Sequence, residues 1–169
     1  MNIQGTYDYL CRARRDLWAV LEQTPDEILS KPVLDGDRFQ CIKDLLVHIA
    51  AVEDSWLHED ILRDTPIWEA FPKLERASED GTLYAAFALA ELLGYWRAVE
   101  ASTLAYLPTL TDTELQRPVQ VNDKTYSVDG LLWHVLIHEM RHTAQIGVLL
   151  RLQGVKPPFL DLLNYLPTA

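Results

Sequence analysis

The sequence is poor in cysteine and lacks long apolar runs, and each shortage excludes a class of protein. Cys11 and Cys41 are the only cysteines among 169 residues, which excludes a disulfide-based scaffold and predicts two free thiols. The longest apolar runs, such as 135–137 and 147–150, are far shorter than the roughly 20 residues that cross a bilayer. No membrane span is therefore predicted.

The sequence also lacks an excess of positive charge. Lysine and arginine number 15 against 25 acidic residues, which gives a formal net charge of −10, and the basic residues do not cluster. Such a surface would repel a nucleic-acid backbone, so no nucleic-acid partner is expected. The first residues show no basic start followed by an apolar run, which predicts a cytoplasmic protein without a secretory signal.

What the sequence does contain is enough apolar material for one substantial core. Hydrophobic residues make up 49% of the chain, and its length fits a single domain over residues 1–169. Helical periodicity predicts four long helices, at about 4–23, 39–63, 82–107 and 128–153, which together favour an all-α four-helix bundle. Between the last two helices, residues 119–126 alternate around an Asn122-Asp123 turn, which predicts a small hairpin before the last long helix.

Shorter patterns fill the connections between the long helices. Helical turns are predicted at 25–29 and 112–116, where a cap residue and acidic side chains come together. An apolar tail at 158–166 is predicted to dock on the bundle. Gly94, inside the third helix, predicts a close helix contact or a slight bend.

The last long helix carries the most informative pattern. It is predicted to begin after the N-cap Ser127 and to end at Gly154. Steps of four and three residues place two histidines within an apolar face, which consists of Leu131, Val135, His138, His142, Gln145, Leu149 and Leu152. His138 and His142 lie one turn apart and can reach a common point.

Other histidines leave alternatives open. His134 and His138 have the same spacing, but His134 and His142 are about 12 Å apart along the axis and cannot share an ion. His134 is therefore interpreted as a packing residue or as a support for the ligands. His48, on the second helix, lies at the edge of the core face and is the partner proposed for the pair. His58, next to two acidic residues, is interpreted as a solvated surface histidine.

Three imidazoles favour a transition metal over calcium or magnesium. With His48, His138 and His142 as ligands, Zn or Ni is the expected ion, with Fe, Co or Mn as alternatives. One or more positions would stay open for water or substrate. Paired histidines that bind no metal and only form hydrogen bonds in the core are the competing interpretation.

Residues 138–142 also match HExxH, the zinc metalloprotease motif in which the glutamate is the general base. The extended form of that motif requires glycine at position 145 and histidine at position 148, where this chain has Gln145 and Val148. Glu139 lies about 100° from His138 around the helix. A salt bridge at the surface or at the edge of the core is therefore an alternative to catalysis.

Two parts of the chain resemble the DinB/YfiT-like family: LLWHVLIHEMRHTAQIG at 131–147 with the following LRLQG and PPFLDLLNYL segments, and IKDLLVHIAAVE at 42–53. The resemblance implies an up-down-down-up four-helix bundle that holds a divalent metal through His48, His138 and His142. Many relatives carry a histidine before the last ligand and an arginine after it, where this chain has Arg141 and Thr143.

The resemblance also implies two functions of different classes. The first is a metal-dependent transferase for a low-molecular-weight thiol such as bacillithiol or mycothiol, with an electrophile bound by Val52, Ser55, Trp56 and parts of the third helix. The alternative is a non-catalytic metal-binding or stress-response protein, and a metal-dependent hydrolase is less favoured. A small-molecule thiol and an electrophile are the expected partners, and a homodimer through a helix face is a further expectation.

Overall fold

The computed structural model of the protein describes residues 2–33, 38–74 and 84–166. Its four long helices confirm the predicted bundle. The α-helices are α1 (Ile3–Gln23), α2 (Asp26–Leu29), α3 (Ile42–Asp54), α4 (Leu89–Tyr106), α5 (Asp112–Leu115) and α6 (Val128–Leu152), and the strands are β1 (Pro118–Val121) and β2 (Lys124–Ser127). The helix α3 packs against α4 and α6, while α1 packs against α6 and α4, so the four long helices enclose one interior.

Local sequence signals set most of the boundaries. The Ser127 side chain accepts a hydrogen bond from the backbone N–H of Gly130, as predicted for the N-cap of α6. Gly154 follows that helix with φ of +79°, a conformation that glycine adopts without steric cost. The predicted hairpin is present, with β1 and β2 antiparallel and Val119 paired with Tyr126.

Two apolar clusters define the helix directions. One contains the first half of α1, the last turns of α4 and the first half of α6, while the other contains the second halves of α1 and α6 with the first halves of α3 and α4. The helices α1 and α6 therefore run in one direction and α3 and α4 in the other. This is the up-down-down-up arrangement that the family resemblance implies.

A layer of buried polar residues lies between the two apolar clusters. It is supplied by the middle of α1 and α6, the end of α3 and the second half of α4, and we call it the central polar layer: Arg14, Glu53, Asp54, Glu100, Thr103, His138 and Glu139. Unpaired charges are costly inside a core. The partners of these side chains therefore decide what the layer does.

The second and third helices differ from their predicted extents. The α-helix that begins at Ile42 gives way to a π-helix over Ser55–Leu62, which apolar periodicity cannot distinguish from continued α-helix. The helix α4 begins only at Leu89, after a 3₁₀ turn at Tyr84–Ala86, and the predicted start at 82 lies outside the described residues. A Cβ added at Gly94 would meet nothing within 4 Å, so the predicted close contact there is wrong.

The C-terminal tail docks through one aromatic side chain. Tyr165 is buried, donates a hydrogen bond of 2.5 Å from its hydroxyl to Asp16 Oδ2 and packs edge-on against Tyr9. Phe159 and Leu163 in the same tail are 74% and 76% exposed. Helical structure in the tail is limited to a 3₁₀ turn at Leu162–Asn164.

Both cysteines are free thiols, as predicted. Within the three described segments, no helix is both long enough and apolar enough to cross a membrane.

Candidate metal centre

Three imidazoles from two helices converge between α3 and α6. One nitrogen from each of His48, His138 and His142 lies within 4.8 Å of the others, and the Nε2 atoms of His48 and His138 are 3.0 Å apart. The His142 ring centroid lies 4.8 Å from that of His48 and 4.4 Å from that of His138. The structure therefore brings together the three residues nominated from sequence.

Neighbouring side chains orient two of these rings. Phe39 stacks on His48 with ring centroids 4.1 Å apart. The Nδ1 atom of His142 lies 2.5 Å from Gln145 Oε1. Because an amide oxygen can only accept, Nδ1 carries the proton and Nε2 keeps its lone pair. Ligand histidines in metal sites are commonly held in this way by a second polar group, and here that group is the amide of Gln145.

The electrostatics keep two of the imidazoles neutral. Burial, followed by the proximity of His142, lowers the pKa of His48 to about 4 and that of His138 to about 3. Both rings are therefore uncharged at neutral pH. Neutral imidazole is the form that donates a lone pair to a metal ion.

The spacing of the cluster fits a transition metal ion. Two histidine nitrogens bound tetrahedrally at about 2.0–2.1 Å from zinc are separated by roughly 3.3 Å. The observed 3.0 Å between the Nε2 atoms of His48 and His138 requires a shift of only a few tenths of an ångström to reach that value. A hydrogen bond between those two rings would explain the pair alone, but it would not explain why His142 converges on the same point.

Comparison with known proteins identifies the family. The sequence model of the DinB family matches residues 1–169. The chain belongs to the DinB family. Comparison with the curated proteins found no match. The structure is similar to the crystal structure of a conserved protein from Enterococcus faecalis, with a TM-score of 0.74 and 18% sequence identity over 90% of this chain and 97% of that one. At that identity the likeness concerns the fold.

The residues predicted to receive a substrate follow His48 along the second helix of this DinB chain. Val52, Ser55 and Trp56 follow His48 by four, seven and eight residues and are half-buried. The Trp56 ring packs edge-on against His134 at 5.2 Å, and His134 in turn lies 6.0 Å from His138. His134 therefore packs beside the cluster without joining it, as one of its two sequence interpretations proposed.

Glu139 differs from its expected surface or core-edge position. It is buried, and both of its oxygens accept hydrogen bonds from Arg14, at 2.6 Å from Nε and 2.5 Å from one terminal nitrogen. Arg14 is itself buried among three glutamates. A carboxylate engaged in this way cannot act as the general base of an HExxH site, so the match to that motif does not give Glu139 a catalytic role.

The remaining contacts of Arg14 involve three helices. Its terminal nitrogens contact Glu53 at 2.8 Å, Glu100 at 3.1 Å and the Tyr7 hydroxyl at 3.1 Å. All five N–H donors of the guanidinium therefore have an acceptor. Burial alone would lower the pKa of Arg14, but the negative charges of Glu139 and Glu53 raise it well above its usual value.

His58 also differs from its prediction. It is buried, and not solvated as its two acidic neighbours in sequence suggested. Its Nδ1 lies 2.7 Å from Asp54 Oδ1, and its Nε2 lies 2.8 Å from Ser102 Oγ. Sequence reasoning missed Arg14 and His58 for the same reason, since each has partners on other helices that local spacing does not reveal.

Proposed function

We propose that this DinB protein binds one divalent transition metal ion through His48, His138 and His142 and uses it to activate a low-molecular-weight thiol for transfer to an electrophile. The observation that carries the proposal is the convergence of one nitrogen from each ring within 4.8 Å. No carboxylate belongs to this group of ligands among the described residues. Imidazole ligands favour Zn or Ni, with Fe, Co or Mn as alternatives.

The chemistry follows from the number of ligands. With His48, His138 and His142 as ligands, a bound ion would keep at least one coordination position for an exogenous molecule, and its charge would favour the thiolate form of a thiol held there. The protein's own groups then orient the reactants. Gln145 fixes the tautomer of His142, and the half-buried Val52, Ser55 and Trp56 provide an adjacent surface for the electrophile.

The first experiment tests metal binding. Protein stripped of metal and reloaded with Zn²⁺ or Ni²⁺ should contain one ion per chain by elemental analysis, and the His48→Ala, His138→Ala and His142→Ala variants should each lose most of it. His134→Ala is the matched control, because His134 is an exposed histidine on the same helix that packs beside the cluster. Stoichiometric metal retained in His48→Ala would remove α3 from the site.

The second experiment tests the reaction. The metal-loaded protein should accelerate conjugation of a small thiol with 1-chloro-2,4-dinitrobenzene, and His142→Ala should abolish the acceleration. Trp56→Ala should raise KM for the electrophile while leaving the metal content unchanged. Normal metal binding without turnover across a panel of thiols and electrophiles would overturn the transferase and leave a non-catalytic metal-binding protein.

A further inference from the structure

A second group of side chains has the geometry of a nucleophile with its base, and it does not involve the metal ligands. Ser102, in α4, has its Oγ 2.8 Å from Nε2 of His58 in the π-helix. On the other side of that ring, Nδ1 lies 2.7 Å from Oδ1 of Asp54, the last residue of α3. A serine, a histidine and an aspartate are thus connected in the order used by serine hydrolases.

The hydrogen bonds determine which nitrogen of His58 carries the proton. A carboxylate can only accept, so the Nδ1–H of His58 donates to Asp54. In the neutral imidazole, Nε2 is then the nitrogen without a proton and accepts from the Ser102 hydroxyl. This tautomer is the one in which an imidazole can remove a proton from serine.

The carboxylate of Asp54 is held by hydrogen bonds from residues outside the π-helix. Its Oδ1 accepts from the backbone N–H of Ile67 at 2.9 Å, and its Oδ2 accepts from the backbone N–H of Trp68 at 2.9 Å and from the Tyr95 hydroxyl at 2.8 Å. The carboxylate is also buried. These three donors hold Asp54 in place, and it can in turn hold the His58 ring.

The nucleophile is more accessible than its base. His58 is 4% exposed, whereas Ser102 is half-buried. The residues next to Ser102 on the outer side of α4 are small: Ala101 and Ala105 are exposed and Ala98 is half-buried. A small molecule can therefore approach the hydroxyl, while the imidazole behind it is shielded from water. The π-helix that carries His58 is a rare element that occurs frequently at functional sites.

We propose that Ser102 is an activated nucleophile, with His58 as its general base and Asp54 as the residue that positions His58. Ser102 Oγ attacks the carbonyl carbon of an ester and passes its proton to His58 Nε2. The bond to the alcohol oxygen breaks, and the leaving group takes that proton, which leaves an acyl group on Ser102. Water then attacks the acyl carbon with His58 as base, the bond to Ser102 breaks, and the serine recovers a proton.

The position of Ser102 limits the substrate class. It lies inside α4, where the backbone N–H groups are already bonded within the helix, so they cannot stabilise an oxyanion. The reaction therefore depends on an electrophile with a good leaving group. Activated acyl esters and phosphonyl fluorides are the expected class, and peptides are not.

The test is covalent labelling with a fluorophosphonate probe. Attack by Ser102 would form an oxygen–phosphorus bond and release fluoride, and peptide mapping by mass spectrometry should locate the label on Ser102. Ser102→Ala should lose the label. His58→Gln and Asp54→Asn should label at least about 10²-fold more slowly, which is the smallest usual contribution of a general base. Labelling should survive removal of metal with a chelator, which separates this result from the metal-dependent function.

Ser30 provides the matched control. Its hydroxyl is half-buried and bonds to Asp26 Oδ2 at 3.1 Å and to the Ala85 carbonyl oxygen at 3.0 Å, so it has a carboxylate partner without an intervening imidazole. Ser30 should stay unlabelled, and Ser30→Ala should label like the wild type.

Three results would overturn the proposal: no label on Ser102, equal labelling of Ser30 and Ser102, or an unchanged rate in a folded His58→Gln variant. The mapping and the Ser102→Ala comparison remain decisive if the His58 or Asp54 variant does not fold. Circular dichroism melting curves identify that case.

Discussion

His138 and Glu139 are neighbours in sequence, yet they belong to two polar clusters with opposite properties. Around Glu139, one arginine with five donors is surrounded by three buried glutamates. Around His138, three imidazoles converge, and the pKa values of His138 and of its α3 partner are lowered mainly by burial. The first cluster has opposite charges paired inside it, whereas the second directs imidazole nitrogens at one point.

The two clusters show that buried polar side chains in one core can have different roles, one in holding the helices together and one in binding a ligand. A charged group that is fully paired contributes to the packing of the helices and has no capacity for a ligand. Neutral nitrogens directed at a common point gain most from a cation that binds between them. Because adjacent residues of α6 point about 100° apart, one helix can serve both clusters. Three predictions test this contrast, from the largest expected effect to the smallest.

Arg14→Met should produce the largest effect, because it removes the cation that three buried glutamates share, and only Glu100 keeps another cationic partner, Arg15. We expect a loss of about 3–5 kcal/mol in the free energy of unfolding, the usual result of removing one partner from a buried ion pair. Urea titration measures the loss. It should be smaller at pH 5 than at pH 7, since protonation can neutralise the stranded carboxylates.

Arg97→Met is the control for that variant. Arg97 forms an ion pair with Glu22 at 2.8 Å, and both side chains are about half exposed. Exposed pairs contribute about 0–1 kcal/mol, so the control should lose little. Equal losses in the two arginine variants would refute the idea that the buried cluster is a structural centre.

Glu139→Gln should have an intermediate effect on stability and no effect on metal content. The substitution keeps the shape but removes the charge that faces Arg14, and we expect a loss of about 1–3 kcal/mol. Elemental analysis of zinc-loaded protein should still give the wild-type stoichiometry. Loss of the metal in a folded Glu139→Gln variant would show that the two clusters are not independent.

Acid should produce the smallest effect, and its sign follows from the lowered pKa values of His48 and His138. In the unfolded chain these residues bind protons near pH 6.5, whereas in the folded protein they do so only near pH 4 and pH 3. The unfolded state therefore holds more protons within this window. The stability that the two neutral histidines contribute to the folded protein is complete above about pH 6.5. It is lost progressively as the pH falls toward 4.

Urea titrations of the metal-free protein at several pH values measure this dependence. The double variant His48→Gln/His138→Gln should lose less stability between pH 6.5 and pH 4 than the wild type. His134→Gln, an exposed histidine beside the cluster, is the control and should retain the wild-type slope. A double variant whose free energy of unfolding falls with pH as steeply as that of the wild type would show that His48 and His138 do not cause this pH dependence.

Much of the fold could be predicted because its signals are local. The caps at Ser127 and Gly154, the hairpin turn at Asn122-Asp123 and the four amphipathic segments depend on residues a few positions apart. The facing pair of His138 and His142 follows from the same helical spacing. These features are therefore present in the sequence before any packing is known.

The rest depends on partners that are distant in sequence. Arg14 contacts Glu139 across 125 positions and Glu100 across 86, and no local pattern marks which arginine of the first helix points inward. His58 is buried one turn after Asp54, and its other partner, Ser102, lies 44 positions away. Its two acidic neighbours in sequence therefore do not show which way the ring faces.

By itself, the sequence determined the four helices, their ends and the two histidines that share a face of α6, because helix geometry relates residues three and four apart. Only the tertiary structure decided that His48 completes the cluster, that Glu139 is occupied by Arg14 and that Asp54, His58 and Ser102 meet. Those outcomes depend on how the helices pack, and burial then forces each polar group to find a partner within the core.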